Sequence, residues 1–251
     1  MLEYARYSGD TELVRRAMPQ IEKLLAYFME DMEENGLYKT VSRDDVWHFY
    51  EWAGDLDGCY FSDCAEDKKR DDFDSLINAF LSLAVEKTVE LYRILGDSQA
   101  ALRYTKFRET LNKSIYKLFY REEAGAFKTY SGRDTYSQLA NALCILCGAC
   151  PAEHLEEVAG KVAAGTAEWV PNTLSMNIFR YDALLTVNPE KYADFILNEI
   201  DKVYGHMLEE GATSFWETLN GESDFDGAGS LCHGWSAIPI YYYHILKNSA
   251  G

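Results

Sequence analysis

LYRILGDSQAALRYTKFR, residues Leu91 to Arg108, holds the end of one helix, a joint, and the start of the next. Leu91 and Leu95 before the joint, and Leu102 and Phe107 after it, belong to apolar stripes of helical period. Gly96 suits the left-handed position that ends a helix, where a Cβ would clash. Asp97 can then accept a backbone N–H from the next helix start. YARYSGDTELVRRAMPQI, Tyr4 to Ile21, repeats the device with Gly9 and Asp10. Two further short joints pair Gly148 with Pro151 and Asn188 with Pro189. Proline is tolerated in a first helical turn because its missing N–H had no partner there.

Working outward, regular stripes cover about 10–35, 72–95 and 98–119. Less regular ones cover about 134–148, 152–163, 171–187, 189–208 and 230–246, and residues 1–8 read as the end of another helix. That makes eight helices and a partial one. No long stretch alternates with period two, so the chain reads as all-α. Long joints at about 36–71, 119–133, 164–170 and 209–229 alternate strictly with the short ones. In a ring of antiparallel hairpins, this alternation puts the short turns at one end and the long loops at the other. Repeated helix pairs point to a toroid or a solenoid, and function collects on such loops.

The bulk properties exclude several function classes. The chain of 251 residues fits one domain over 1–251, and its 47% apolar content allows a sizeable core. A formal net charge of -17 repels phosphate backbones and anionic membrane surfaces, so neither nucleic acid nor membrane is expected as a partner. No apolar run approaches the roughly 20 residues needed to span a bilayer. MLEYARYSGD lacks the basic and apolar pattern of a signal peptide, so a soluble, cytoplasmic protein is expected. Cys144, Cys147 and Cys150 in CILCGACP sit in an apolar, helix-like setting and read as a buried face. Cys59 and Cys64 in DGCYFSDC form a loop pair that could bridge only in an oxidising compartment.

The long loops carry the candidate chemistry. GATSFWETLNG, Gly211 to Gly221, sets Glu217 directly after Phe215 and Trp216, between small and flexible residues. The first long loop holds Trp47, His48, Tyr50, Trp52, Asp55 and Asp57. Aromatic faces match the C–H faces of sugars, while carboxylates and imidazoles match the hydroxyls. Two such loops at one end of a toroid make a plausible carbohydrate pocket.

Five stretches, read in order, resemble a known family: GDTELVRRAMPQIEKLLAYF, YEWAGDLDG, YSQLANAL, MLEEGATSFWET and SLCHGWSAIPIYYY. They look like the catalytic domain of bacterial α-L-rhamnosidases, glycoside hydrolase family seventy-eight. The GATSFWET and CHGWSA pair is the most specific part. The resemblance implies an (α/α)6 toroid and inverting hydrolysis of terminal α-L-rhamnosides, with no cofactor and no metal. It implies that Glu217 is the general base, that Trp216 walls the sugar pocket, and that His233 and Trp235 lie near the same sugar. Trp52 and Asp55 resemble further sugar-contacting positions.

The family's general acid lies in an acidic loop upstream of these helices, and no counterpart is found here. The expectation is therefore a toroid lacking its N-terminal helices and its flanking β-sandwich domains. Glu222, Asp224 or Asp226 could supply an acid from the loop of Glu217. Apolar helix faces left uncovered would promote self-association. Two other readings remain. A non-catalytic carbohydrate-binding remnant would keep the aromatic pocket without turnover. A zinc-dependent toroid enzyme would use Cys232 and His233, but needs a third protein ligand.

Overall fold

The computed structural model describes residues 1–40, 49–50, 52–56 and 72–247. The described residues form nine α-helices: α1 (Leu2–Ser8), α2 (Glu12–Glu30), α3 (Ser75–Leu95), α4 (Ser98–Phe119), α5 (Gln138–Leu146), α6 (Leu155–Ala164), α7 (Asn177–Val187), α8 (Pro189–Glu209) and α9 (Pro239–Lys247). Strands are only two residues long. β1 (Tyr120–Arg121) pairs antiparallel with β2 (Ala126–Phe127), and β3 (Tyr136–Ser137) pairs parallel with β4 (Trp169–Val170).

The helices form two concentric layers of a toroid. α3 packs against α1, α2, α4 and α5, while α5 packs against α3, α6 and α7. α9 reaches α7 through Tyr242, whose hydroxyl donates to Asp182 Oδ1 at 2.7 Å and also lies 2.9 Å from Ile178 O. The odd-numbered helices are therefore the inner layer. Their sequences show why. In α5, all residues from Gln138 to Ile145 are buried, as a helix enclosed on every side requires. In α8 only Tyr192, Ile196, Ile200, Tyr204 and Met207 are buried, one stripe facing inward.

The short joints follow the sequence closely. Gly9 and Gly96 end their helices at φ 69° and 79°. Asp97 accepts from Ala100 N at 2.9 Å and Asn188 from Lys191 N at 3.0 Å, caps worth about 1 kcal/mol each. Asp10 differs slightly. Thr11 occupies the cap position without a side-chain bond, and Asp10 Oδ1 accepts from Glu12 N at 2.8 Å.

The inner helices start by gripping the long loops. Asp74 caps α3 by accepting from Ile77 N at 2.9 Å, and also accepts from Thr40 Oγ1 and Tyr50 Oη at 3.1 and 2.6 Å. Asn78 pairs both ways with the backbone of Tyr38, at 2.9 Å in each direction. Asn141 does the same to Phe127, at 2.8 and 3.0 Å. On α7, Arg180 instead grips the end of α6, donating to Val162 O and Ala163 O. The loops also touch one another, through a bridge between Asp74 and Tyr130, the β3–β4 pair, and the contact of Trp52 with Trp235. These contacts place the long loops together at one end.

The last helix is shorter than the stripe at 230–246 predicts. α9 begins only at Pro239, because a residue before proline is pushed out of helical backbone geometry and Ile238 is that residue. Trp235 therefore lies in a short 3-10 turn, Gly234–Ser236, ahead of the helix. The stripes at 134–148 and 171–187 likewise begin late, at Gln138 and Asn177. Cys144, Cys147 and Cys150 are buried free thiols on and just after α5. Trp47, His48, Asp57, Cys59 and Cys64 lie outside the described residues. Among those described, no helix is long and apolar enough to cross a membrane.

Candidate active site

The loop after α8 doubles back on itself. Glu217 N donates to Ser230 O at 2.8 Å, and His233 N donates to Phe215 O at 2.8 Å. Segments 214–218 and 230–236 are thus bonded antiparallel. Between the segments the chain makes an excursion whose neck is narrow: a Cβ on Gly229 would lie 1.9 Å from Gly221 O.

Glu217 is half-buried. Its Oε2 faces Ser230 N at 3.4 Å, and its backbone oxygen accepts from Trp235 Nε1 at 3.3 Å. The Trp235 ring leans on His233, with centroids 4.3 Å apart, and meets Trp52 from the first long loop at 6.2 Å. Trp52 in turn contacts Phe49 at 4.5 Å and Phe225 at 5.0 Å. His233 Nδ1 is buried without a hydrogen-bond partner among the described residues. A buried, unpaired ring nitrogen is costly unless a ligand or water completes it.

Of the six residues singled out in the sequence, the structure brings four together: Glu217, Trp235, His233 and Trp52. Trp216 is only 9% exposed. Its ring lies 6.4 Å from His206 of α8 and covers Gly221, so it supports the loop from beneath. Asp55 is exposed at φ 67° in a turn and makes no hydrogen bond to the other five among the described residues. Tyr50 turns inward to Asp74. Among the three acidic candidates of the excursion, Asp224 accepts from Asn220 Nδ2 at 3.0 Å, while Glu222 and Asp226 are exposed.

Two residues, Phe49 and Phe225, carry no sequence signal that singles them out. Phe49 completes the aromatic cluster, stacking on Trp235 at 6.3 Å. Phe225 and Asp226 are consecutive non-glycine residues at φ 55° and 57°, a backbone region that costs energy and often marks a functional loop. The Asp226-Gly227 pair was a turn signal, but nothing local predicts a left-handed phenylalanine. Among the described residues no group of three or more His, Cys, Asp or Glu could hold a metal, so Cys232 and His233 find no third ligand there.

Comparisons with known proteins agree with this architecture. The chain is similar in structure to a family seventy-eight rhamnosidase of Bacillus sp. GL1, with a TM-score of 0.80 and 22% identity over 97% of this chain and 25% of that one. A rhamnosidase from Klebsiella oxytoca with rhamnose bound gives 0.78 and 18% over 99% of this chain and 45% of that one. An α-L-rhamnosidase from Dictyoglumus thermophilum gives 0.67 and 17% over 94% and 25%. The chain thus spans between a quarter and under half of these solved relatives. No curated protein matches it. The family model of the bacterial alpha-L-rhamnosidase 6 hairpin glycosidase domain matches residues 2–245, and the chain belongs to that family.

Proposed function

We propose that this domain carries the base-bearing half of an inverting glycoside hydrolase acting on terminal α-L-rhamnosides or a closely related sugar. The observation that carries the reading is the placement of Glu217 beside the Trp52, Trp235 and His233 cluster, on a backbone segment bonded at both edges. In an inverting reaction a carboxylate takes a proton from water as that water attacks the anomeric carbon opposite the leaving group. Glu217 fills that role. Trp235 and Trp52 offer apolar faces to the sugar ring, and the unpaired His233 Nδ1 offers a hydrogen bond to a hydroxyl. The rhamnose held by the Klebsiella relative supports the choice of sugar.

The test is hydrolysis of dinitrophenyl α-L-rhamnoside. Dinitrophenolate departs without a proton, so the assay asks for a base and not for an acid. Wild-type turnover that falls about 100-fold or more in Glu217→Gln supports the reading. Turnover unchanged in Glu217→Gln removes Glu217 from the role. Rhamnose binding without any turnover by the folded chain favours the carbohydrate-binding alternative. Self-association belongs to the same proposal, because Tyr7, Leu208 and Ile240 are 86%, 72% and 70% exposed. Light scattering that shows only a monomer at high concentration would count against it.

A further inference from the structure

We infer that Ser236 is a positioning residue for Glu217, an inference that rests on Glu217 acting as the base. Ser236 is fully buried at 0% exposure. Its Oγ donates to Trp216 O and also lies 3.1 Å from His233 O. A serine hydroxyl has one proton, and the closer acceptor is Trp216. That carbonyl belongs to the peptide bond whose nitrogen is Glu217 N. The same peptide donates its N–H to Ser230 O at 2.8 Å. Both ends of one rigid plane are therefore held by the opposite segment, the oxygen by Ser236 and the N–H by Ser230.

The orientation of that plane sets the direction in which the Glu217 side chain leaves the backbone. Ser236 is itself anchored to the outer layer of the toroid. Tyr204 of α8 donates its hydroxyl to Ser236 O at 2.7 Å. Burial pushes the Tyr204 phenol well above its usual range, so it keeps the proton it donates. The line from Tyr204 through Ser236 to Trp216 O links a rigid helix to the reacting carboxylate. Misplacing a reacting group by about 1 Å can cost about 100-fold in rate. A serine that merely fills space would leave no such mark.

The experiment compares wild type, Ser236→Ala and Tyr204→Phe in two ways. Steady-state kinetics on dinitrophenyl α-L-rhamnoside separate kcat from KM. Hydrogen exchange, read by NMR, follows the Glu217 amide and the Trp235 indole N–H. The inference expects kcat in Ser236→Ala to fall about 10- to 100-fold with KM changed less than about 3-fold. It expects faster exchange at Glu217 and Trp235 while the amides of α5 stay protected. Unchanged kcat with unchanged exchange at Glu217 overturns it. So does exchange that accelerates equally across the fold, because that is a stability effect. If wild type turns nothing over, the proposed function fails, and the exchange arm alone decides whether Ser236 holds Glu217. If Ser236→Ala does not fold, Tyr204→Phe is expected to show the same local signature in weaker form, and its absence overturns the inference.

Discussion

Asn78 of α3 and Asn141 of α5 stand in the same relation to their helices. Each lies four residues after an N-cap, Asp74 or Ser137, donates to the carbonyl of that cap, and pairs both ways with one loop residue's backbone. Two successive inner helices thus fasten the preceding long loop with one device.

The device predicts a shared energetic signature. Asn78→Ala and Asn141→Ala each leave a buried backbone N–H and C=O unpaired, at about 1–3 kcal/mol per group. Each variant is expected to lose at least about 2 kcal/mol in urea unfolding, more than Asn112→Ala, whose residue is only partly buried. Losses under about 0.5 kcal/mol would show that water replaces the bonds freely.

Asp74 joins a helix cap to two loop side chains. Asp74→Ala removes the cap of α3 and the acceptor of Thr40 and Tyr50, an expected loss of about 3 kcal/mol. Tyr50→Phe removes only one of these bonds and should cost about 1 kcal/mol. Chemical unfolding of both variants checks the ranking.

The half-buried Asp182 gives a prediction with a sign. Burial pushes its carboxyl above the usual aspartate range, while the Tyr242 hydroxyl and the charge of Lys87 pull the other way. A raised folded pKa means that protonation favours the folded state. That contribution is complete below the unfolded value, roughly 3.9, and is lost as pH rises through the raised folded value. Asp182→Asn stays neutral and can still accept from Tyr242. It should melt above wild type at pH 7, and the gap should close as the pH falls below about 4. An unchanged gap at both pH values would contradict the assignment.

The thiols should separate by reactivity. Burial pushes Cys147 and Cys150 up to about 12 and Cys144 well above its usual value, whereas Cys232 is exposed. Only a thiolate reacts readily. Peptide mapping after iodoacetamide treatment at pH 8 should find Cys232 modified in the native protein, and Cys144, Cys147 and Cys150 modified only after unfolding. Native labelling of Cys144 would show that α5 opens easily.

Much of the fold is legible in the residues themselves. Gly96 and Asp97 act by local sterics and one hydrogen bond, so a short window suffices to read them. The inner and outer layers follow from Leu139 to Ile145 being apolar or small all round except for Asn141, against the single stripe of α8. The stripe at 230–246 overruns the start of α9 because SLCHGWSAI is apolar enough to look helical, while Pro239 keeps Ile238 out of helical geometry. The site was legible in part. Glu217, His233 and Trp235 lie on one short doubled segment, so proximity in sequence becomes proximity in space. The meeting of Trp52 with Phe225 depends on how the first long loop and the loop after α8 come together. The inward turn of Trp216 depends on where α8 places His206. Neither relation has a local signal.

The pinch at Gly221 and Gly229 turns residues 222–228 into an interchangeable cassette. Anything spliced between those two glycines would enter and leave through the same gate, while the pairing of Glu217 with Ser230 stays as it was. New lengths and side chains there would reshape the rim that Phe225 presents to Trp52 without retuning the carboxylate. Under the proposed function, residues 222–228 are the natural place to build a library that varies the rim beside Trp52 and leaves the Glu217–Ser230 pairing in place.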